Sequence, residues 1–272
     1  MADLSLSRAW DETKAVFARD GKLVSTVALA LLFLPQVVAN TISPPANLAN
    51  ERAPAFAGAI VLLSLIIGIV GQLAIVRLAI GPTTSVGDAI SHGGRRFLPA
   101  FLAFIIFLCG VGLLMVPLLL LLGLGPMLLD PANAPPGEFL VRMLLVAVIA
   151  LLISVKFMLM TPIASSEEGG PIHIIKRSWN LTSGAYFKLL GFIVLVAIPA
   201  VLVLLVAQFF GIILARLLTD TINPYSAGAL VLGLVTAASQ AAVSAVFTVM
   251  LARIYAQLAG RVAEPSVPSS GD

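Results

Sequence analysis

Charge is scarce in this sequence: only 11% of its 272 residues are Asp, Glu, Lys or Arg. That is too little to keep the surface of a chain this long dissolved, so a soluble globular fold is excluded. The net charge of +3 does not point to nucleic acid, because the basic residues are scattered between apolar runs rather than gathered into a solvated patch. Cysteine is almost absent. Cys109 is the one thiol, which excludes an intramolecular disulfide and a zinc site built from thiolates. Within its apolar run it is expected in the core. His92 and His173 are the only histidines and stand far apart, without the HExxH spacing of a zinc helix. Nucleophile-elbow, phosphate-loop and dinucleotide fingerprints are missing too, so neither a cofactor nor catalysis is expected.

What the sequence has instead is long hydrophobic runs. Hydrophobic residues make up 60% of the chain and the mean hydropathy is +1.08, which marks a membrane protein. Spans are expected at 22–39, 55–80, 97–122, 138–160, 186–214 and 227–255, the first near the short end of what crosses a hydrocarbon core of about 30 Å at about 1.5 Å per residue. The first is the shortest. Val37-Val38-Ala39 resembles a signal-peptide cleavage site, but Asp3, Asp11, Glu12 and Asp20 precede the run, so an uncleaved anchor is expected. Before it, Leu6, Trp10, Thr13 and Phe17 recur at helical spacing and predict a surface helix. Residues 83–96 form a polar connection with a second such segment. In residues 171–183, Ile172, Ile175 and Trp179 share a face, Pro171 suits a first helical position, and Glu167 and Glu168 suit its positive end.

The segment from Gly169 to Pro199 has a weaker copy 82 residues upstream (169 − 87): Gly169 lies over Gly87, Ile172 over Ile90, Arg177 over Arg95, Trp179 over Phe97 and Pro199 over Pro117. Pro117 stands at the same offset from Pro35, and each of the three prolines closes an apolar run and is expected to bend or loosen its helix. The expected fold is therefore all-α, six transmembrane helices as three two-helix repeats joined by short cytoplasmic amphipathic helices. It forms one membrane domain over residues 1–260, with repeats at about 4–82, 83–164 and 165–260, and a disordered tail, 261–272, rich in Pro and Ser.

Of the 16 Lys and Arg, all but Arg52, Arg142 and Arg216 fall on the face that carries both termini, which predicts that this face is cytoplasmic. Arg77, Lys156 and Arg253 each lie about a turn inside that end of an even-numbered span. Two readings stand for them: snorkelling to lipid phosphates, or a shared vestibule that holds an anionic headgroup. Arg8-Ala9-Trp10 with Thr13 and Arg177-Ser178-Trp179 with Thr182 share one pattern, and Arg95 beside Phe97 keeps a remnant of it. An arginine next to an indole at an interface pairs phosphate on its polar side and buries the ring among acyl chains, as plain anchoring or as lipid selection.

The run EEGGPIHIIKRSWNLTSGAYFKLLGF resembles the most recognisable stretch of the membrane domain attached to certain bacterial glycerophosphoryl diester phosphodiesterases, and of related free-standing six-span proteins of uncharacterised function. Glu168, Gly169, Arg177, Ser178, Trp179, Leu181, Thr182 and Gly184 occupy the matching places. The resemblance implies a bacterial inner-membrane module without the phosphodiesterase, whose catalytic barrel is missing here. The expected function is a non-enzymatic membrane module that contacts lipids or recruits another membrane or cytoplasmic protein. The alternative is a transporter for a lipid or a small anion, for which a polar cavity between the spans would speak.

Overall fold

The computed structural model describes residues 4–81, 85–129 and 135–260; the expected tail, 261–272, lies outside the described residues. Helices account for almost all of it, and no strand occurs among the described residues. They are α1 (Leu6–Val27), a π-helical turn (Ala28–Phe33), α2 (Leu34–Ile42), α3 (Ala57–Ile80), α4 (Val86–Leu121), α5 (Leu124–Leu129), α6 (Pro136–Phe157), α7 (Met160–Ser166), α8 (Pro171–Ser183), α9 (Tyr186–Leu218) and α10 (Ala227–Leu258). Six stretches are long and apolar enough to cross a membrane: 6–42, 57–80, 86–121, 137–166, 186–218 and 227–258.

Local chemistry explains the boundaries. The surface segment and the first span form one rod, interrupted at Asp20, whose φ of −119° and ψ of 15° are not helical. The π turn follows because Pro35 has no N–H to donate, and Leu34 N–H reaches back to the Leu29 carbonyl instead. Residues 83–96, read from sequence as a connection, run without interruption into the third span from residue 86 onward; Ser85 caps that helix by accepting from Asp88 N–H at 3.1 Å. Pro117 lies inside α4 and Pro199 inside α9, both within continuous helix. The fourth span breaks after Phe157 and resumes as α7 ahead of Pro162.

The first, second and sixth spans form the packed heart of the bundle. α10 lies against α9, α2 and α3, and small residues let these backbones approach: Ala74, Ala237, Ala241, Ala245 and Ala252 are buried there. A Cβ at Gly71 would come within 2.9 Å of Leu31 Cβ, so only glycine lets α3 pass the π turn this closely. The ends away from the chain termini are tied as well, since Asn223 Oδ1 accepts from Asn50 N–H and Tyr225 N–H donates to the Thr41 carbonyl. The third and fourth spans are packed less completely. The buried residues of α4, namely Ala89, Gly93 and Ala103, all lie in its first half, and Val155 is the buried residue of α6. Cys109 corrects the expectation that it is core: it is exposed on the outward side of α4, because that half of the helix is apolar all round and meets little protein.

Candidate functional site at the helix collar

The beginnings of α1 and α4, all of α7 and α8, and the end of α10 meet at one end of the bundle in a collar held by polar contacts. Glu12 on α1 stands between two guanidinium groups. Its Oε1 accepts from Arg8 Nε at 3.0 Å and its Oε2 from Arg253 Nε at 3.0 Å, while Arg253 Nη1 also donates to the Ala79 carbonyl at the end of α3. Glu167 does the same between α7 and α8. It accepts from Arg177 Nε at 3.1 Å and from the hydroxyl of Tyr255, a fully buried residue of α10, at 2.8 Å. Glu168 pairs with Arg96 at 3.3 Å. These carboxylates therefore face guanidinium groups, and Glu167 Oε2 also stands 3.9 Å from His173 Nε2 in the first turn of α8, where Pro171 takes the first helical position behind Gly170. His92 Nε2 lies 2.7 Å from the Ser165 carbonyl, and Ser165 Oγ donates to the Leu73 carbonyl, joining α4, α7 and α3.

In the segment Arg177 to Ser183 the arginine and the hydroxyl side chains each have a defined partner, while Asn180 is exposed. Because α6 stops at Phe157, the carbonyl of Lys156 has no partner in its own helix, and Ser178 and Thr182 hydroxyls donate to it at 2.9 and 3.2 Å. Lys156 Nζ donates to Ser183 Oγ at 2.9 Å and stands 4.9 Å from the ring centres of both Trp179 and Tyr186. Tyr186 in turn donates to the Leu152 carbonyl. Beside this cation lies a shallow groove lined by Phe157, Ile175, Lys176, Trp179 and Asn180.

The inward face of α8 is Ile174, Ser178 and Thr182, while on the face of Ile172, Ile175 and Trp179, Ile172 is 61% and Trp179 48% exposed. In α1 the matching residues behave alike: Ala9 and Thr13 are buried and Trp10 is 47% exposed. Small residues face protein and the large apolar ones face out. Arg95 is exposed. Arg253 is bonded to Glu12 and Lys156 stands against its aromatic partners, while Arg77 lies in the last turn of α3 with no ion pair among the described residues. The sequence reading missed Glu12, Tyr186 and Tyr255. Glu12, four residues after Arg8, and Tyr186, next to the second motif, offered a local signal, and Tyr255 none.

A second feature lies deeper. A cavity of about 870 Å³ between the spans is lined from all six of them, from Ser43 beyond the end of α2 to Thr161 and Ile174 near the collar. Its lining holds amides and hydroxyls but no ionisable side chain, and Arg77, Lys156 and Arg253 are not part of it.

A family model described as "Domain of unknown function (DUF7847)" matches residues 6–258. No curated protein matches the chain, and no solved structure does. None of these comparisons links it to the phosphodiesterase-associated membrane domain.

Proposed function

The chain belongs to the DUF7847 family, and from that premise we propose that it is a non-enzymatic, lipid-contacting multi-pass module of a bacterial inner membrane, with both termini and the collar at the cytoplasmic leaflet. The charge bias supports the orientation, and the likeness between the two Arg-x-Trp segments in burial and pairing supports a repeated architecture. The observation that carries the lipid reading is Lys156. It is held between Trp179 and Tyr186 beside an open groove, and among the described residues no carboxylate pairs with it. A cation so placed at an interface is available to a lipid phosphate, and the two rings are placed to meet the acyl chains below it.

Native mass spectrometry of the full chain with phosphatidylglycerol tests this. Lys156→Ala and Trp179→Ala are expected to lower retention of the anionic lipid several-fold with little change in stability. Arg177→Ala should act differently, lowering stability through its lost pairing with Glu167. Unchanged lipid retention in both groove variants would overturn the assignment. A second reading, transport, is favoured by the cavity. Its uncharged lining suits a lipid and gives a small anion no counter-charge.

A further inference from the structure

The large cavity carries an inference separate from the collar, one that stands whether or not Lys156 holds a headgroup. Five of its polar side chains have no partner among the described residues, Ser43 and Thr161 toward its ends and three deeper. Among the described residues Gln72 on α3 and Ser244 and Thr248 on α10 make no side-chain hydrogen bond, whereas Gln36, Asn40 and Ser64 on the same wall are bonded to protein. Thr248 is only 5% exposed, and its hydroxyl is not among the polar atoms sealed away from solvent, so what remains accessible opens into the cavity. Counting along the helices, Gln72 is eight residues from the collar end of α3 and Thr248 ten from that of α10. At about 1.5 Å per residue this puts both more than 10 Å inside the spans. The lining also holds four aromatic rings, Phe104, Phe107, Phe157 and Phe247. Val61, Leu65 and Phe104 line the cavity and are also 46%, 42% and 37% exposed, so it opens sideways between α3 and α4.

We infer that this cavity is a binding site for an uncharged membrane lipid, hydrocarbon chains bearing hydroxyl or ester oxygens and no phosphate, that enters sideways between α3 and α4. Absence of any ionisable lining group disfavours a charged head, which would be desolvated without a counter-ion. The Gln72 carboxamide offers donors and an acceptor, and the two hydroxyls can each do both, which matches an alcohol beside an ester. A volume of about 870 Å³ lies within the range of about 300–1,000 Å³ typical of small-molecule sites.

The test uses the full chain in nanodiscs of phosphatidylethanolamine and phosphatidylglycerol, with two photoactivatable probes carrying the same diazirine acyl chain, one a diacylglycerol and one a phosphatidylglycerol. The diacylglycerol probe should label the α3 and α10 segments that line the cavity, and excess unlabelled dioleoylglycerol should compete it away. The phosphatidylglycerol probe should label outward residues such as Leu113 and Leu121 and spare the cavity. Gly68 lines the cavity and a Cβ there meets nothing within 4 Å, so Gly68→Trp should fill the space and bring cavity labelling to background. Gln72→Leu and Thr248→Val should each reduce labelling by roughly fivefold, as for one hydrogen bond lost, without lowering the unfolding temperature, because neither group has a protein partner to lose. The same distribution for both probes, labelling that resists competition, or a cavity that holds water and no probe would each overturn the inference. None of these results depends on phosphatidylglycerol retention at Lys156.

Discussion

Glu12 is the residue whose loss the collar would feel first. It is 15% exposed and takes two guanidinium groups, from Arg8 and Arg253, so Glu12→Gln leaves both cations with a neutral neighbour. A loss of about 1–3 kcal/mol is expected, the range for a polar group deprived of its partner, read as a lower thermal midpoint in detergent. An unchanged midpoint would mean that the pair is solvated and of no consequence. Tyr255→Phe removes one donor to Glu167 from a fully buried position and should cost about 1 kcal/mol by the same measurement. The arginine and tryptophan positions were legible because their motif is local. Of their partners only Glu12, four residues after Arg8, is at helical spacing; the links from Glu12 to Arg253, 241 residues apart, and from Glu167 to Tyr255, 88 apart, leave no local periodicity.

For the helices, existence and length were legible and inward faces were not. Hydrocarbon outside and protein inside are equally apolar, so a run such as the second half of α4 does not declare which side meets a neighbour. That is why Cys109 lies outward and why the packed side of α8 is its serine and threonine side. Close helix contacts depend instead on single glycines. At Gly93 an added Cβ would stand 2.6 Å from the Val70 carbonyl, a backbone atom with no freedom to turn aside, whereas at Gly94 it would meet open space. Gly93→Val should therefore push α4 off α3 and lower stability by about 1–3 kcal/mol, the usual cost of overpacking, while Gly94→Ala should be neutral or slightly stabilising. Equal behaviour of the two variants in a thermal shift assay would refute the close crossing.

Across the whole molecule, the proposed orientation makes a prediction that involves no ligand. In a Cys109→Ser background, Asn47→Cys and Lys176→Cys occupy exposed places at opposite ends of the bundle. A membrane-impermeant maleimide added to intact cells should modify the first and not the second. The reverse result would place the collar outside and remove the basis for a cytoplasmic headgroup site.

The unequal packing of the bundle has a mechanical corollary. The far halves of α4 and α6 are bridged by α5 and by the Arg142 guanidinium on the Leu122 carbonyl and carry almost no buried residue, so they form one loosely packed flap. Such a flap can swing as a unit without breaking a backbone hydrogen bond. Its thermal excursions are expected to vary the width of the doorway between α3 and α4 while the clasped end stays still.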